Sequence, residues 1–287
     1  MSKENRTGNP ADIRNPFGAP VFYQAETGST MDDAREIVHR FTAEGIPVAE
    51  GTVAAAGFQH GGRGRIPARK WDSPPGENLI CTTILHFPPP ACITLRTGLA
   101  VAETFARFLP AGAGDVEIKW PNDVLCAGRK LAGILCESDG RFVYAGTGLN
   151  IGQREFPPEI RDKASSLALL AGGKPVPSVR EVMEEFLACM QKVLRPDFPW
   201  KEALSARLYK KNRPAFFFPG QAEGPSPYTA IPAVLPDTAV SGILRGVQED
   251  GGLILETNGG LRVFYSGELR FPESDGGSSS TLQRSGT

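Results

Sequence analysis

Hydrophobic residues recur at helical spacing in some segments of the chain and in short runs in others. Three segments have helical spacing. The first begins at Thr30 and ends near Gly45, and the second covers 94–109 with Thr94 as its expected N-cap. The third begins at Ser178, which opens a Ser-x-x-Glu capping box. Short apolar runs predict strands at residues 52–58, 79–87, 116–120, 124–126, 131–137 and 142–151. Together these elements predict an α+β fold, in which helices pack on a mixed, largely antiparallel sheet.

Near residue 209 the hydrophobic pattern changes to short strands separated by glycine-rich turns. The expected strands cover residues 215–218, 241–247, 253–257 and 261–269, which predicts a small all-β barrel. The residues before Val21 are polar, and those after 272 are rich in serine and glycine. We therefore expect a flexible N-terminus at 1–20, a main domain at 21–208, the barrel at 209–272 and a disordered tail at 273–287.

Composition excludes several classes of protein. The 31 Lys and Arg nearly balance the 32 Asp and Glu, so the net charge of −1 gives no general attraction to nucleic acid. No segment approaches the roughly 18 consecutive apolar residues that span a bilayer. The 5 cysteines lack C-x-x-C spacing, and the 3 histidines are scattered. We expect a cytoplasmic protein that binds neither nucleic acid nor membrane and holds no metal through its own side chains.

A basic loop follows the strand predicted at 52–58. Its sequence, QHGGRGR at residues 59–65, combines glycines, which allow close backbone approach, with arginines, whose planar guanidinium groups bind phosphate or carboxylate. Arg69 and Lys70 add two cations before Trp71. The loop has neither a Walker motif nor the G-x-G-x-x-G motif of dinucleotide-binding folds. It either covers an anionic ligand or is a solvated basic hairpin.

A second candidate site lies at a predicted hairpin. Lys119 ends one strand, Pro-Asn-Asp at 121–123 forces a turn, and the chain returns at Lys130 on the strand antiparallel to the one that begins at Val124. Two lysines, an amide and a carboxylate would therefore converge. The alternative is an ordinary turn with lysines on the surface.

Both segments belong to an ordered set of motifs that resembles the set found in biotin protein ligases. The set comprises the basic loop with Ser73-Pro74, residues 119–124, residues 129–135, residues 146–151 and residues 164–167. Residues 242–269 resemble the small β-barrel that closes these ligases, with an unrelated barrel as the alternative. About 20 polar residues precede Val21, too few for the winged-helix DNA-binding domain of bifunctional members, so the chain resembles the monofunctional kind.

The resemblance implies ATP-dependent attachment of biotin to a lysine of a biotin carboxyl carrier protein through biotinyl-5'-adenylate, with Mg²⁺ as a cofactor, and it allows a homodimer. The catalytic residues that it implies are Arg63, Lys119, Asp123 and Lys130, with Asp123 orienting the incoming lysine. The implied biotin-binding residues are Ser29, Thr30, Met31, Gln59, Gly62, Arg63, Gly64, Arg65, Lys130 and Gly133. The implied ATP-binding residues are Arg65, Arg69, Trp71, Asn122 and Asn150.

The basic loop departs from the family pattern, which commonly reads Gly-Arg-Gly-Arg-Arg-Gly-Arg-x-Trp. Here Ile-Pro-Ala at 66–68 makes the loop one residue longer, so either Arg65 or Arg69 contacts the adenylate. Met31 replaces the asparagine of the usual Ser-Thr-Asn. Two other functions stay open. One is a lipoate or octanoate ligase or transferase of the same superfamily, although the usual Arg-Arg-x-Ser-Gly-Gly-Gly string of lipoate ligases is absent. The other is a catalytically inactive biotin-binding protein.

Overall fold

The structure, a computed structural model, describes residues 13–66, 70–89, 92–220 and 238–272. The chain divides into two compact units, Met1–Arg207 and Leu208–Thr287, which we call unit 1 and unit 2. Arg69, the tail expected at 273–287 and residues 1–12 of the expected flexible N-terminus lie outside the described residues.

Unit 1 combines helices with a seven-stranded sheet. In its described part the helices are α1 Thr30–Ala43, α2 Ile93–Phe108, α3 Leu167–Leu170, α4 Val179–Leu194 and α5 Trp200–Arg207. The strands are β1 Val21–Gln24, β2 Thr52–Ala56, β3 Leu79–His86, β4 Val116–Lys119, β5 Asp123–Cys126, β6 Arg129–Ser138 and β7 Phe142–Leu149. Their order is β1-β2-β3-β7-β6-β5-β4, with β1 and β2 parallel and the other neighbours antiparallel. The expected α+β class is confirmed.

Helices cover both faces of this sheet. The core cluster under α1 includes Tyr144 of β7, and Leu135 of β6 packs against it. Successive side chains of a strand alternate between faces, so Ile134 points to the opposite face. There it meets α2, since its Cδ1 lies 3.9 Å from where a β-carbon at Gly98 would be. α4 packs against α2 on that second face. The first turn of α1 therefore shares its face of the sheet with Leu135, and this is the face that carries the candidate site.

Residues 13–20 pack against the rest of unit 1. The Asn15 side-chain amide donates to the carbonyl oxygen of Gly51 over 2.9 Å, and Gln191 of α4 donates to the carbonyl oxygen of Pro16 over 2.8 Å. Residues 13–20 therefore do not form the flexible terminus expected there, because Asn15 and Pro16 are hydrogen-bonded to distant parts of the folded unit.

The N-termini of two helices can be compared with the caps expected from the sequence. The capping box at Ser178 is confirmed, since its hydroxyl accepts from the backbone N–H of Glu181 and the Glu181 carboxylate accepts from the N–H of Ser178. The cap expected at Thr94 is wrong. Cys92 occupies the N-cap position of α2 with φ 62° and makes no side-chain capping bond. The Thr94 hydroxyl instead bonds to the thiol of Cys136, a partner from a distant strand that the local sequence does not reveal.

Unit 2 is all-β in its described part. Its strands are β8 Pro214–Pro219, β9 Val240–Val247, β10 Leu253–Thr257, β11 Gly260–Phe264 and β12 Gly267–Arg270, in the antiparallel order β11-β10-β9-β8-β12. The rings of Phe217 on β8 and Phe264 on β11 lie 4.1 Å apart. In a flat sheet the two intervening strands would separate them by about 14 Å. The sheet is therefore strongly curled.

The single strand expected at 261–269 is wrong, because this segment forms two strands. Gly267 has φ 150°, and a β-carbon there would lie 2.4 Å from Cζ of Phe217. The chain breaks before Gly267 and crosses to the opposite edge of the sheet, where β12 pairs with β8. Side-chain alternation alone does not reveal such a break.

Three further features bear on function. Within the described ranges, no helix combines the length and the apolar character needed to cross a membrane. The same residues contain no group of three His, Cys, Asp or Glu side chains placed to hold a metal ion. All five cysteines are free thiols, and burial raises the pKa of Cys81, Cys136 and Cys189 to about 11.

Candidate active site

A floor of glycines lies on the α1 face of the sheet. Gly133 of β6 and Gly148 of β7 are directly paired, and the Trp71 indole rests on both. A β-carbon at Gly148 would lie 2.4 Å from Trp71 Cε2, and one at Gly133 would lie 3.2 Å from Trp71 Cζ3. Only glycine allows so close an approach of the ring to the strands. The Trp71 Nε1 is buried and has no hydrogen-bond partner among the residues that the structure describes.

An ion pair stands at the edge of this floor. The Lys130 Nζ lies 2.6 Å from Asp123 Oδ1, and the two side chains are 24% and 10% exposed. The same ammonium lies 5.7 Å from the centroid of the Trp71 ring and 3.2 Å from where a β-carbon at Gly133 would be. Lys119 of β4 is buried and is directly paired with Asp123 in the sheet. A fixed cation and a carboxylate therefore border an apolar surface.

Two asparagines expected to bind ATP hold the backbone of this region. The Asn122 side chain donates to the carbonyl oxygen of Ile134 over 2.9 Å and ties the turn before β5 to β6. The Asn150 side chain donates to the carbonyl oxygen of Ser165 over 3.0 Å and to that of Lys130 over 3.4 Å. These amides position the Lys130 strand, and their side-chain N–H groups point at protein oxygens.

A second cluster of polar groups forms at the start of α1. The Gln59 amide oxygen accepts from the backbone N–H of Thr30 over 2.7 Å and from its hydroxyl over 3.1 Å. The Thr30 hydroxyl also contacts the hydroxyl of Thr82 at 3.0 Å. Ser29 caps the helix by accepting from the N–H of Met31. These bonds use the Gln59 carbonyl and leave its amide N–H groups directed away from Thr30.

Met31 and Gly62 connect the two clusters. The Met31 Cε lies 2.9 Å from where a β-carbon at Gly146 would be, two residues before Gly148 on the same face of β7. A β-carbon at Gly62 would lie 2.4 Å from the carbonyl oxygen of Trp71 and 3.3 Å from the amide nitrogen of Gln59. The polar cluster at α1 and the glycine floor are therefore parts of one continuous surface.

The basic loop folds back over this surface. The backbone N–H of Trp71 donates to the carbonyl oxygen of Gly62 over 3.0 Å, and Arg63 and Lys70 form a bridge between the two arms of the loop. Both guanidinium ends of Arg63 bond to the Asp32 carboxylate, at 2.7 and 3.1 Å, and this raises the pKa of the already cationic Arg63 further. Gly64 and Arg65 follow and are half-buried.

The sequence analysis assigned no role to four residues of this site, namely Asp32, Thr82, Gly146 and Gly148. Gly146 and Gly148 lie in the motif segment 146–151, and glycines two residues apart in a strand are a signal of close backbone approach. Thr82 lies in an otherwise apolar strand and Asp32 in an ordinary first helical turn. Their partners are distant in the sequence, and no local signal marks them.

Comparison with known proteins identifies the family. The profile of the Biotin/lipoate A/B protein ligase family matches residues 37–151, and that of the Biotin protein ligase C terminal domain matches residues 231–269. The bifunctional ligase/repressor BirA of Bacillus spizizenii is 30% identical over 261 residues, which cover 88% of this chain and 74% of that protein. The chain belongs to the biotin protein ligase family. The biotin--[acetyl-CoA-carboxylase] ligase of Mycobacterium tuberculosis is 30% identical over 85% of this chain and 86% of that one.

Solved structures of the family agree with the fold. The biotin protein ligase from Aquifex aeolicus in complex with biotin and ATP superposes with a TM-score of 0.68 and 26% identity, covering 87% of this chain and 97% of that one. ATP-dependent attachment of biotin to protein is the known activity of biotin protein ligases. The expected family and fold are therefore confirmed.

Proposed function

We propose that this chain joins biotin to a lysine of a biotin carboxyl carrier protein, using ATP and a biotinyl-5'-adenylate intermediate. The observation that carries this proposal is the placement of Trp71 and Lys130 together on the floor formed by Gly133 and Gly148. This arrangement provides an apolar surface with a fixed cation at its edge. Such a surface suits a ligand with an apolar ring system and an anionic end.

The polar cluster at α1 suits the other end of biotin. In this proposal the amide N–H groups of Gln59 and the hydroxyls of Ser29 and Thr30 hydrogen-bond the ureido head. The apolar rings then lie beside Met31 and against the Trp71 indole that covers the glycine floor. About 7 Å separate Gly146 from Gly148 along β7, a length comparable with that of a small bicyclic ligand. The carboxylate end thereby reaches the Lys130 side of the floor.

The first half-reaction brings two anions together. A carboxylate oxygen of biotin attacks the α-phosphorus of ATP, the bond to the bridging oxygen breaks, and pyrophosphate leaves with its electron pair. Negative charge builds up on the phosphoryl oxygens, so cations that are already in place contribute most to the rate. We assign this role to Lys130 and Arg63, with Lys119 neutralising phosphate. Trp71 and one of Arg65 and Arg69 contribute to holding the adenylate.

Mg²⁺ accompanies ATP in this proposal. In such sites it is held largely by phosphate oxygens and water. Because Asp123 is already paired with the Lys130 ammonium, we assign the ion to the phosphate oxygens and not to a protein carboxylate. When bound, the ion would neutralise charge on the phosphates.

In the second half-reaction the amine nitrogen of a carrier lysine bonds to the carbonyl carbon of biotinyl-adenylate, the anhydride C–O bond breaks, and AMP leaves with its electron pair. A free lysine has a pKa near 10.4, so roughly one amine in a few thousand is neutral at pH 7. We propose that Asp123 orients this amine and helps to remove its proton. The alternative is that a water molecule acts as the base. The ion pair with Lys130 gives Asp123 a further role, because it also holds the cation used in the first half-reaction.

Replacing Asp123 with asparagine is expected to impair both half-reactions, and transfer more than adenylation. Loss of the counter-charge to Lys130 costs roughly 1–3 kcal/mol, so adenylate formation should slow about tenfold or more. Transfer to the carrier should slow by about a further tenfold through loss of the base. Single-turnover labelling with radioactive biotin separates the two rates. Asp115→Asn, at an exposed position before β4, is the matched control. Equal slowing of both steps would remove the transfer role.

Location and partners complete the proposal. The free thiols of all five cysteines and the use of ATP support a cytoplasmic location. The balanced charge supports a protein partner over nucleic acid. The family resemblance allows a homodimer, and analytical ultracentrifugation at several concentrations tests it.

A thermal-shift titration coupled to an exchange assay tests the proposed function. Biotin should raise the unfolding temperature in a concentration-dependent way and lipoate should not, because a ligand stabilises the state that binds it. Biotin should also support exchange of labelled pyrophosphate into ATP. Stabilisation by lipoate alone would favour the lipoate alternative, and stabilisation by biotin without exchange would favour an inactive binding protein.

A further inference from the structure

Asp32 makes a contact that its position in the helix does not require. It lies in the first turn of α1, where an acidic side chain is stabilised by the helix dipole without any partner. Its carboxylate nevertheless accepts from both ends of the Arg63 guanidinium, Nη2 to Oδ1 at 2.7 Å and Nη1 to Oδ2 at 3.1 Å. This two-point geometry restricts the guanidinium to one plane and one direction.

The Asp32–Arg63 pair joins the start of α1 to the basic loop, which have separate roles in the proposed function. Asp32 follows Thr30, whose N–H and hydroxyl bond to Gln59 at the polar cluster. Arg63 lies four residues after Gln59, in the basic loop. The Asp32–Arg63 pair is thus a second connection between the start of α1 and the loop that covers the glycine floor.

Asp32 is itself anchored to the sheet. Arg35, one turn further along α1, contacts Asp32 at 3.4 Å, forms a close ion pair with Glu137 of β6, and lies 5.2 Å from the ring centroid of Tyr144. The alternating charges of Arg63, Asp32, Arg35 and Glu137 therefore run from the loop to a strand of the sheet. A carboxylate held in this way can direct a guanidinium that stands on the basic loop.

Arg63 keeps binding capacity while it is held. A guanidinium has five N–H donors, and the pair with Asp32 uses one on each terminal nitrogen. The neighbours Gly62 and Gly64 give this stretch of backbone wide conformational freedom, so an unrestrained Arg63 would sample many orientations. Asp32 removes that freedom before an anion arrives, which is the general advantage of preorganisation.

We infer that Asp32 is a positioning residue that holds Arg63 in the orientation needed to meet the carboxylate of biotin and the α-phosphate of ATP. The inference rests on the proposed function for the identity of the anions. If Asp32 instead competed with the anionic substrates for Arg63, removing its charge would raise kcat/KM and not lower it.

The test compares Asp32→Asn, Asp32→Glu and the control Asp197→Asn in pyrophosphate exchange. Asp197 also pairs with an arginine through two bonds, Arg195 at 2.7 and 3.1 Å, on an exposed segment that the proposed function does not use. We expect Asp32→Asn to lower kcat/KM about three- to tenfold, Asp32→Glu to recover part of the loss, and Asp197→Asn to behave as wild type. A higher kcat/KM for Asp32→Asn would show competition and overturn the inference.

A double-mutant cycle asks whether Asp32 acts through Arg63. If it does, Asp32→Asn should have no further effect in an Arg63→Ala background. The same loss in both backgrounds would assign Asp32 a purely structural role and refute the inference.

Tryptic cleavage of the unliganded proteins after Arg63, followed by mass spectrometry, gives a readout that does not depend on activity. Asp32→Asn should be cleaved faster than wild type and Asp197→Asn should not. If the wild-type protein supports no pyrophosphate exchange, the proposed function is rejected, and the cleavage result still tests the positioning of Arg63. Equal cleavage of all three proteins would reject the positioning of Arg63.

Discussion

The Lys130→Met variant is expected to form biotinyl-adenylate about 100-fold more slowly than wild type, or worse, while binding biotin with similar affinity. The Lys130 ammonium is held 2.6 Å from Asp123 Oδ1 and beside the Trp71 ring before any substrate binds. A preorganised charge of this kind needs no rearrangement as charge develops, and its removal typically costs roughly 10²–10³ in rate. Methionine keeps the length and apolar contact of the side chain. Pyrophosphate exchange measures the rate and calorimetry the affinity for biotin.

Two further variants make the Lys130 result interpretable. Removing Lys130 leaves the carboxylate of Asp123 without this partner, so Lys130→Met combined with Asp123→Asn restores a neutral pair and separates misfolding from lost catalysis. Lys192→Met removes a lysine from another ion pair, with Glu103 at 2.8 Å, and should exchange at the wild-type rate. A folded Lys130→Met protein that retains at least a third of wild-type exchange would rule out the assigned role.

The Gly148→Ala variant is expected to weaken biotin binding by at least tenfold. The added β-carbon would lie 2.4 Å from Trp71 Cε2 and 2.8 Å from its Nε1, so the indole must leave the floor. The Gly148 backbone does not have positive φ, so alanine fits the strand itself. Displacement of the indole removes apolar contact for biotin, and each 1.4 kcal/mol lost corresponds to about tenfold in affinity. Calorimetry measures binding, and a shift of tryptophan emission to longer wavelength reports the displaced ring.

Gly98→Ala is the matched control for Gly148→Ala. Its β-carbon would lie 3.6 Å from Ile118 Cγ2, an ordinary contact, on the opposite face of the same sheet. It should bind biotin as wild type does, and its unfolding temperature should be unchanged or slightly raised, since alanine favours a helix over glycine. Wild-type affinity in a folded Gly148→Ala protein would exclude the Trp71 indole, as held on the floor, from the biotin site.

Regular elements were predictable where one local signal dominates. The capping box at Ser178 and the strand at Leu253–Thr257 depend on residues adjacent in the chain, and both form as expected. β1 has four residues, too few for a periodic signal, and forms by pairing with β2. The weakly amphipathic α5 is held by packing against α2 and β4. For these two elements tertiary contacts decided what local propensity left open.

The sequence by itself determined which chemical groups this biotin protein ligase family member contains and their order: a basic glycine loop, a lysine-bearing hairpin and a polar helix start. Only the tertiary structure decided that Trp71 lies on Gly133 and Gly148, that Lys130 pairs with Asp123, and that Asp32 holds Arg63. The reason is that local patterns report the period of a single element. Which side chains meet across elements depends on strand register and on the face to which each helix packs, and both are set by burial of the whole core.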